Sequence, residues 1–264
     1  MSQTIDLKDV VKKKYAEIVT KNTCCCTTAR SEADDTYVMK EDYSGMEGYV
    51  EEADYNLGCG VPTRHAEINE GDTVLDLGSG AGNDAFIVHR IVGESGLVIG
   101  LDFTMEMIAK AIQNKQKLGL RNIDFRYGDI EEMPVDSDSI DVVISNCVLN
   151  LVPDKEKAFS EIYRVLKPGA HFCVSDIVSE GQIPPELKRS AELYAGCVAG
   201  ALPKEEYMGL VETAGFQGME IRKERHIDLP EDVLQKHLTD SDLENWNSGG
   251  VGLQSITLFA RKPE

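Results

Sequence analysis

The chain has 264 residues, 42% of them hydrophobic, which is enough for one large α/β core with a short appendage. It contains no run of about 18 apolar residues, and its N-terminus lacks the basic-then-apolar order of a secretory signal, so we expect no membrane span and a cytoplasmic location. The 27 basic and 46 acidic residues give a net charge of −19. This charge argues against nucleic acid or anionic lipid as a partner, because both require clustered Lys and Arg.

The seven cysteines are an odd number and come without a secretory signal. We therefore expect reduced thiols, ligands or redox-active groups rather than a disulfide framework. A structural zinc site is disfavoured, because the cysteines show neither CxxC spacing nor pairing with histidine.

Residues 1–70 begin with a helical pattern and continue into a polar segment that carries Cys24, Cys25 and Cys26. An acidic stretch punctuated by glycine follows and ends near Cys59. Glycine and acidic charge favour a segment that becomes ordered on binding. The sequence thus predicts an N-terminal helix and a cysteine-bearing lid.

Residues 71–180 alternate short apolar, β-rich runs with helical runs. The predicted strands are Thr73–Leu77, Leu97–Asp102, Ile123–Tyr127, Ile140–Ser145 and His171–Val178. Helices are predicted between them at 83–92, 104–118 and 154–166. This alternation is typical of a doubly wound α/β fold with a mostly parallel sheet. Residues 181–264 predict a small α+β extension, with helices at 186–195 and 203–214 and strands at Met219–Ile227 and Leu253–Arg261.

A glycine-rich turn, VLDLGSGAGND, follows the first strand and precedes a helix. Glycine allows a tight turn and lets the backbone approach a ligand at the helix N-terminus. Asp102 ends the next strand, 20 residues after Gly82, where a carboxylate can accept both hydrogen bonds of a ribose diol. A nicotinamide dinucleotide would need another glycine at position 83, which is Asn.

Acidic residues at the strand ends favour a cationic ligand over a dinucleotide. Asp76 lies inside the glycine turn, and Asp129 with Ile130 follows the third strand, where the pair suits an adenine amine and ring. Ligands of α/β sheets bind at the carboxyl ends of the strands. S-adenosylmethionine carries a sulfonium and an amino group and no pyrophosphate, so its site tolerates this acidity.

Residues 70–180 resemble the class I methyltransferase superfamily. The resemblance is carried by DLGSGAG, Asp102, GDIEEMP (Gly128–Pro134), DVVISNCVLNLV (Asp141–Val152) and EIYRVLKPGA (Glu161–Ala170). It implies a Rossmann-like, seven-stranded sheet with an antiparallel last strand, for which Leu253–Arg261 is the candidate. It also implies S-adenosylmethionine as cofactor, bound by Asp76, Gly78, Ser79, Gly80, Gly82, Asp102, Met107, Asp129, Ile130 and Asn146.

The cysteine contexts NLGCG, SNCVLNLVPDK, AGCVAGAL and CCTTAR resemble the arsenite methyltransferase family over about residues 15–225. The resemblance implies that Cys147 and Cys197 are the core arsenic ligands. Cys59 and an N-terminal cysteine, Cys25 or Cys26, would complete the trithiolate or form a disulfide. Trivalent arsenic is soft and thiophilic, which agrees with thiolate ligands. Cys173, inside an apolar strand, is interpreted as a small buried hydrophobe.

Three functions are compared. The first is methylation of arsenite or its thiol conjugate for detoxification, which needs no general base but requires an external reductant, thioredoxin or a glutathione-like thiol. The second is C-methylation of a quinone precursor, which has no use for Cys59 and Cys197. The third is a non-catalytic metalloid binder, which has no use for the intact glycine turn. Both sets of features are present, which favours arsenite methylation.

Overall fold

The computed structural model describes residues 7–20, 41–188 and 197–264. The helices in these ranges are α1 (Leu7–Thr20), α2 (Asn83–Val92), α3 (Met105–Leu118), α4 (Lys155–Val165), α5 (Pro185–Lys188), α6 (Lys204–Thr213), α7 (Glu231–His237) and α8 (Asp240–Asn247). The strands are β1 (Thr73–Leu77), β2 (Leu97–Asp102), β3 (Ile123–Tyr127), β4 (Ile140–Asn146), β5 (Leu166–Glu180), β6 (Leu202–Pro203), β7 (Gln217–Ile227) and β8 (Gly252–Arg261). In the described part of the chain, no helix is both long and apolar enough to cross a bilayer.

The strands form one sheet in the order β3-β2-β1-β4-β5-β8-β7. Strands β1 to β5 pair in parallel, and β8 lies antiparallel between β5 and β7. The predicted doubly wound sheet of seven strands with an antiparallel last strand is therefore confirmed. The short β6 is an addition, pairing with the end of β5 where β4 has already stopped.

Helix α4 illustrates how the local sequence fixes an element. Phe159, Ile162 and Val165 recur at helical spacing and are fully buried against the sheet. Each such side chain contributes about 1.5–3 kcal/mol to folding by leaving water. The side chain of Asp154 caps the helix by accepting a hydrogen bond from the Lys157 amide, which satisfies one of the free N–H groups.

Strand β5 is longer than predicted at both ends. Its first residue, Leu166, pairs with Ile140 of β4, although a helix stop of Lys, Pro and Gly follows it directly. Its last residue, Glu180, pairs with Gly252 of β8. The antiparallel partner β8 supplies backbone hydrogen bonds along most of β5, and this long-range pairing is invisible to a local reading of the sequence.

The sheet has a crevice where the strand order reverses, between β1 and β4. The chain continues from β1 to β2 and β3 on one side and from β4 to β5 on the other. A ligand site is expected at the carboxyl ends of the strands at this point. Helix α1 packs against α3, and its Lys8 bridges Asp129 and Glu131 at 2.6 and 2.5 Å, which holds the helix beside the crevice.

Candidate active site

The glycine turn closes the crevice at the end of β1. The amides of Gly78 and Ser79 both donate to the carbonyl of Leu101, at 2.7 and 3.0 Å, so the turn is fixed to the end of β2. Gly78 has φ of +68°, and an added Cβ would overlap the side chain of Val148. Glycine is required there for both its conformation and its lack of volume.

Three carboxylates lie buried around this turn, those of Asp76, Asp84 and Asp102. Burial raises the pKa of Asp76 well above its usual value, and the charges of the other two raise it further. Burial likewise raises the pKa of Asp84 to about 6 and raises the pKa of Asp102. Asp102 keeps two backbone partners, accepting from the amides of Gly80 and Thr104 at 3.0 and 2.8 Å.

Several buried polar atoms of the crevice have no hydrogen-bond partner within the described protein. They are Asp76 Oδ2, Asp84 Oδ1, Ser79 Oγ and Asn83 Oδ1. Buried polar atoms without partners are rare in folded proteins and commonly mark the place of a ligand. Buried acids with free oxygens suit a ligand that carries positive charge and N–H or O–H donors, as S-adenosylmethionine does.

Most of the predicted cofactor residues line this crevice. They are Asp76, Gly78, Ser79, Gly80, Asp102, Met107, Ile130 and Asn146. Several wall residues were not predicted from the sequence. They come from α1, the 41–60 segment and the strand ends, and they include Tyr15, Tyr43, Asp54, Tyr55, Asp84 and Phe103. The sequence of residues 41–60 is acidic and interrupted by glycines, and this pattern does not indicate which of its side chains reach the crevice.

Two predicted cofactor residues do not lie on the wall. Gly82 is the left-handed N-cap of α2 with φ of +99°, and an added Cβ would stand 2.7 Å from Phe86 and 2.9 Å from Phe125. Its lack of a side chain serves packing. Asp129 turns away to Lys8, and this ion pair lowers the pKa of Asp129 despite the opposing effect of partial burial. The neighbouring Ile130 is the residue that lines the crevice.

Asn146, at the end of β4, holds the Cys59 loop against the crevice. Its Oδ1 accepts from the amides of Cys59 and Gly60 at 3.1 and 3.2 Å. Its Nδ2 donates to the Tyr43 hydroxyl at 2.6 Å and to Asp84 at 3.3 Å. One side chain thus connects a thiol loop with an acid of the cofactor crevice.

Cys59, Cys147 and Cys197 converge next to the crevice, although they are far apart in sequence. All three are buried, and each is a free thiol. The Cys197 thiol donates to the Cys147 carbonyl at 2.7 Å, and the sulfurs of Cys59 and Cys147 lie within 4.8 Å of each other. Burial, followed by these thiols, raises the pKa of Cys147 well above its usual value, and burial raises that of Cys59.

The backbone at two of these cysteines is strained. Cys147 has φ of 62° and Cys197 has φ of 64°, in the left-handed region that residues with a side chain rarely adopt. Such a residue costs about 1–3 kcal/mol, and strain of this kind concentrates at functional sites. The fold therefore holds both thiols in place at a cost in stability.

Asp176 is a buried acid that the sequence analysis did not single out. It lies on β5, accepts from the Tyr207 hydroxyl at 3.2 Å, and has a pKa that burial raises to about 7. One carboxylate oxygen lies within 4.8 Å of the sulfurs of both Cys59 and Cys147. The available signal was an acid inside an otherwise apolar strand, where an ionisable group is expensive to bury.

The remaining cysteines divide into two groups. Cys173 is fully buried on β5 beneath the Pro62 carbonyl, 3.6 Å from its sulfur, and burial raises its pKa to about 12, which agrees with its interpretation as an inert hydrophobe. Cys24, Cys25 and Cys26 lie outside the described residues. Their predicted pairing with Cys59 and the predicted role of the 20–60 segment as a lid stay predictions.

Comparison with known proteins places this site in context. A model of the methyltransferase domain matches residues 68–215. The arsenite methyltransferase of Halobacterium salinarum is 37% identical over 271 residues, which cover 98% of this chain and 67% of that protein. The human arsenite methyltransferase is 36% identical over 78% of this chain and 55% of its own length. The present chain thus spans about two thirds of the first relative and about half of the second.

A solved structure with the same architecture is that of an arsenic(III) S-adenosylmethionine methyltransferase from Chlamydomonas reinhardtii. It is 35% identical, with a TM-score of 0.66 over 78% of this chain and 68% of that one. The demethylmenaquinone methyltransferase of Oceanobacillus iheyensis is 37% identical, but over only 40% of this chain and 44% of that protein. The match to this quinone methyltransferase is therefore much shorter than the match to the arsenite methyltransferase of Halobacterium salinarum.

Proposed function

Because the chain belongs to the arsenite methyltransferase family of class I methyltransferases, we propose that it transfers methyl groups from S-adenosylmethionine to trivalent arsenic held by cysteine thiolates. The acceptor is arsenite or its conjugate with a small thiol, and the result is arsenic detoxification. One observation carries the proposal: Cys147 lines the cofactor crevice, its sulfur lies within 4.8 Å of the Cys59 sulfur, and its carbonyl accepts a hydrogen bond from the Cys197 thiol. An arsenic atom bound by these thiols would stand beside the place of the methyl donor.

The cofactor fits the acidic crevice. S-adenosylmethionine supplies a methyl group on a cationic sulfur, and the carboxylates of Asp76, Asp84 and Asp102 would bind its cationic and hydroxyl groups. We assign the ribose diol to Asp102 and the adenine ring to Ile130. Burial of these acids strengthens their attraction to a cation because little water competes inside the crevice.

The thiols would orient the arsenic atom and exclude water from it. Cys59, Cys147 and Cys197 are buried, so substrate bound there is desolvated. Burial keeps Cys59 and Cys147 protonated in the free protein, since it raises the pKa of both. Each thiol proton is therefore exchanged for arsenic and leaves with the displaced hydroxide or thiolate as water or free thiol. The arsenic lone pair attacks directly, which requires no general base.

Turnover requires reduction of the product. Transfer of a methyl cation to the lone pair oxidises arsenic formally from trivalent to pentavalent, so two electrons must be returned for each methyl group. We propose an external dithiol or thiol, thioredoxin or a glutathione-like molecule, and a cytoplasmic location where such reductants are abundant. Cys59 with Cys25 or Cys26 would relay these electrons, and the cysteine-bearing segment 20–60 would act as the lid.

The decisive experiment offers the reduced protein and labelled S-adenosylmethionine two acceptors, arsenite with a small thiol or a demethylated naphthoquinone. We expect methylated arsenic by mass spectrometry and no methylated quinone. Cofactor consumption with the quinone alone would contradict the proposal and assign the second function. Tight arsenite binding without any methyl transfer would instead indicate a non-catalytic metalloid binder.

A further inference from the structure

Asp176 gives the thiol cluster a second possible set of ligand atoms. One of its carboxylate oxygens and the sulfurs of Cys59 and Cys147 all lie within 4.8 Å of one another. All three residues are buried, with exposed fractions of at most 2%. Cys197 contacts Cys147 but does not belong to this mutually close group. A ligand bound by Cys59 and Cys147 can therefore take its third donor atom from Cys197, a sulfur, or from Asp176, an oxygen.

The donor set with Cys197 and the donor set with Asp176 favour different ligands. Trivalent arsenic is thiophilic and is expected to prefer the third sulfur, Cys197, to a hard carboxylate oxygen. A divalent cation such as Zn²⁺ binds both Cys sulfur and carboxylate oxygen, at about 2.3 and about 2.0–2.2 Å. Two donors bound tetrahedrally to one such ion stand about 3.5–3.8 Å apart by these bond lengths, so the observed separations, none above 4.8 Å, would have to shorten by about 1.3 Å at most.

The surroundings of Asp176 favour its use as a ligand. The Tyr207 hydroxyl donates to Oδ2 at 3.2 Å and the Ile177 amide donates to Oδ1 at 3.1 Å, and both bonds orient the carboxylate while leaving it lone pairs for a cation. Hydrogen bonds of this kind to a ligand are a regular feature of metal sites. The positive charge of Lys155 also acts on Asp176 and offsets part of the negative charge of the cluster. Access is available from the cofactor crevice, since Cys147 forms part of its wall.

We propose that Cys59, Cys147 and Asp176 bind a divalent cation that accepts both sulfur and oxygen ligands, as Zn²⁺ does, in a mode that shares two thiols with arsenic and replaces Cys197 by Asp176. The cation would compete with arsenite and not with the methyl donor. The inference goes beyond the proposed function and takes from it only the assignment of Cys59, Cys147 and Cys197 to arsenic.

The test uses Cd²⁺ as the probe and the full-length protein, reduced with a phosphine and freed of metal. Binding is followed by calorimetry and by the ultraviolet charge-transfer band of cadmium thiolates, and arsenite binding is measured in parallel. The variants are Asp176→Asn and Cys197→Ser, with Cys173→Ser as matched control because Cys173 is a buried cysteine of the same strand outside the cluster.

We expect one Cd²⁺ per wild-type chain with a thiolate band. Asp176→Asn should lower Cd²⁺ affinity by at least about tenfold and change arsenite affinity by less than about threefold, whereas Cys197→Ser should do the reverse. Cys173→Ser should change neither. The proposal would be overturned if Asp176→Asn bound Cd²⁺ as tightly as the wild type, or if it lost affinity for Cd²⁺ and for arsenite to the same extent.

Two measurements keep the test decisive. Thermal unfolding of each variant identifies misfolding, and Tyr207→Phe keeps the carboxylate but removes its hydrogen bond, so it should weaken Cd²⁺ binding selectively if Asp176→Asn fails to fold. An unchanged Cd²⁺ affinity in Tyr207→Phe would then count against the site. If Cys197→Ser binds arsenite normally, the arsenic ligand set of the proposed function is wrong, while the Cd²⁺ comparison between wild type and Asp176→Asn still decides the present proposal.

Discussion

The cofactor crevice and the thiol cluster meet at the loop after β4 but are built in different ways. The crevice is formed around one contiguous segment, the turn from Gly78 to Gly82, and the ends of adjacent parallel strands. The cluster joins three loops that are distant in the chain and holds Cys147 and Cys197 in left-handed backbone conformations. A contiguous turn needs little beyond local geometry, whereas the cluster depends on the whole sheet being in register. We therefore expect a mutation in the crevice to weaken cofactor binding with little effect on arsenite binding, and a mutation in the cluster to do the opposite.

The largest expected effect is the loss of arsenite methylation in Cys147→Ser. A hydroxyl is a hard ligand and does not replace a thiolate on a soft centre, so activity should fall to background. Affinity for S-adenosylmethionine, measured by calorimetry, should change little because the acids of the crevice are untouched. The matched control is Cys173→Ser, which should keep most of the activity. Substantial arsenite methylation by Cys147→Ser would remove this residue from the ligand set.

The reverse separation is expected for Asp102→Ala. The side chain accepts from the Gly80 and Thr104 amides and faces the crevice, so its loss should weaken S-adenosylmethionine binding by about 1.5–3 kcal/mol. Arsenite binding by the thiols should stay close to that of the wild type. Calorimetric titration with each ligand checks both statements. Wild-type affinity for the cofactor would show that Asp102 serves only the turn.

The pH dependence of cofactor binding tests the acids of the crevice. Burial raises the pKa of Asp84 to about 6, so its carboxylate is charged above that pH and neutral below it. Affinity for the cationic cofactor should therefore rise with pH through about 6 and decline below it by up to about tenfold for each pH unit. Asp84→Asn should flatten this part of the profile between pH 5 and 7. An unchanged profile in the variant would assign the titration to another group.

The smallest effect is expected for Asn146→Ala, which tests the connection between the two regions. Asn146 donates to Tyr43 and Asp84 and accepts from the amides of Cys59 and Gly60. Its removal should weaken arsenite binding by about 1 kcal/mol for the lost positioning of Cys59. Cofactor affinity should fall less. A larger loss for the cofactor than for arsenite would mean that the amide mainly binds the methyl donor.

Features that depend on local chemistry could be predicted from the sequence. Alternating patterns predicted the strands of the sheet, and the glycine turn and Asp102 marked the crevice, because turn geometry and strand ends follow from short segments. The cysteine contexts indicated the family. Ile130 lines the crevice, since a residue after a parallel strand reaches the same edge of the sheet, and its predicted contact with adenine stays a prediction.

The tertiary structure sets which side chains face one another: Asp129 pairs with Lys8, Gly82 packs against Phe125, and Asp176 lies beside the thiols. It also revealed that one amide, that of Asn146, joins the Cys59 loop to the crevice. The physical reason is that each of these contacts spans a long stretch of chain or depends on a helix being docked. Residue type and spacing determine on which face of a helix or strand a side chain lies, whereas packing determines which other side chains it contacts.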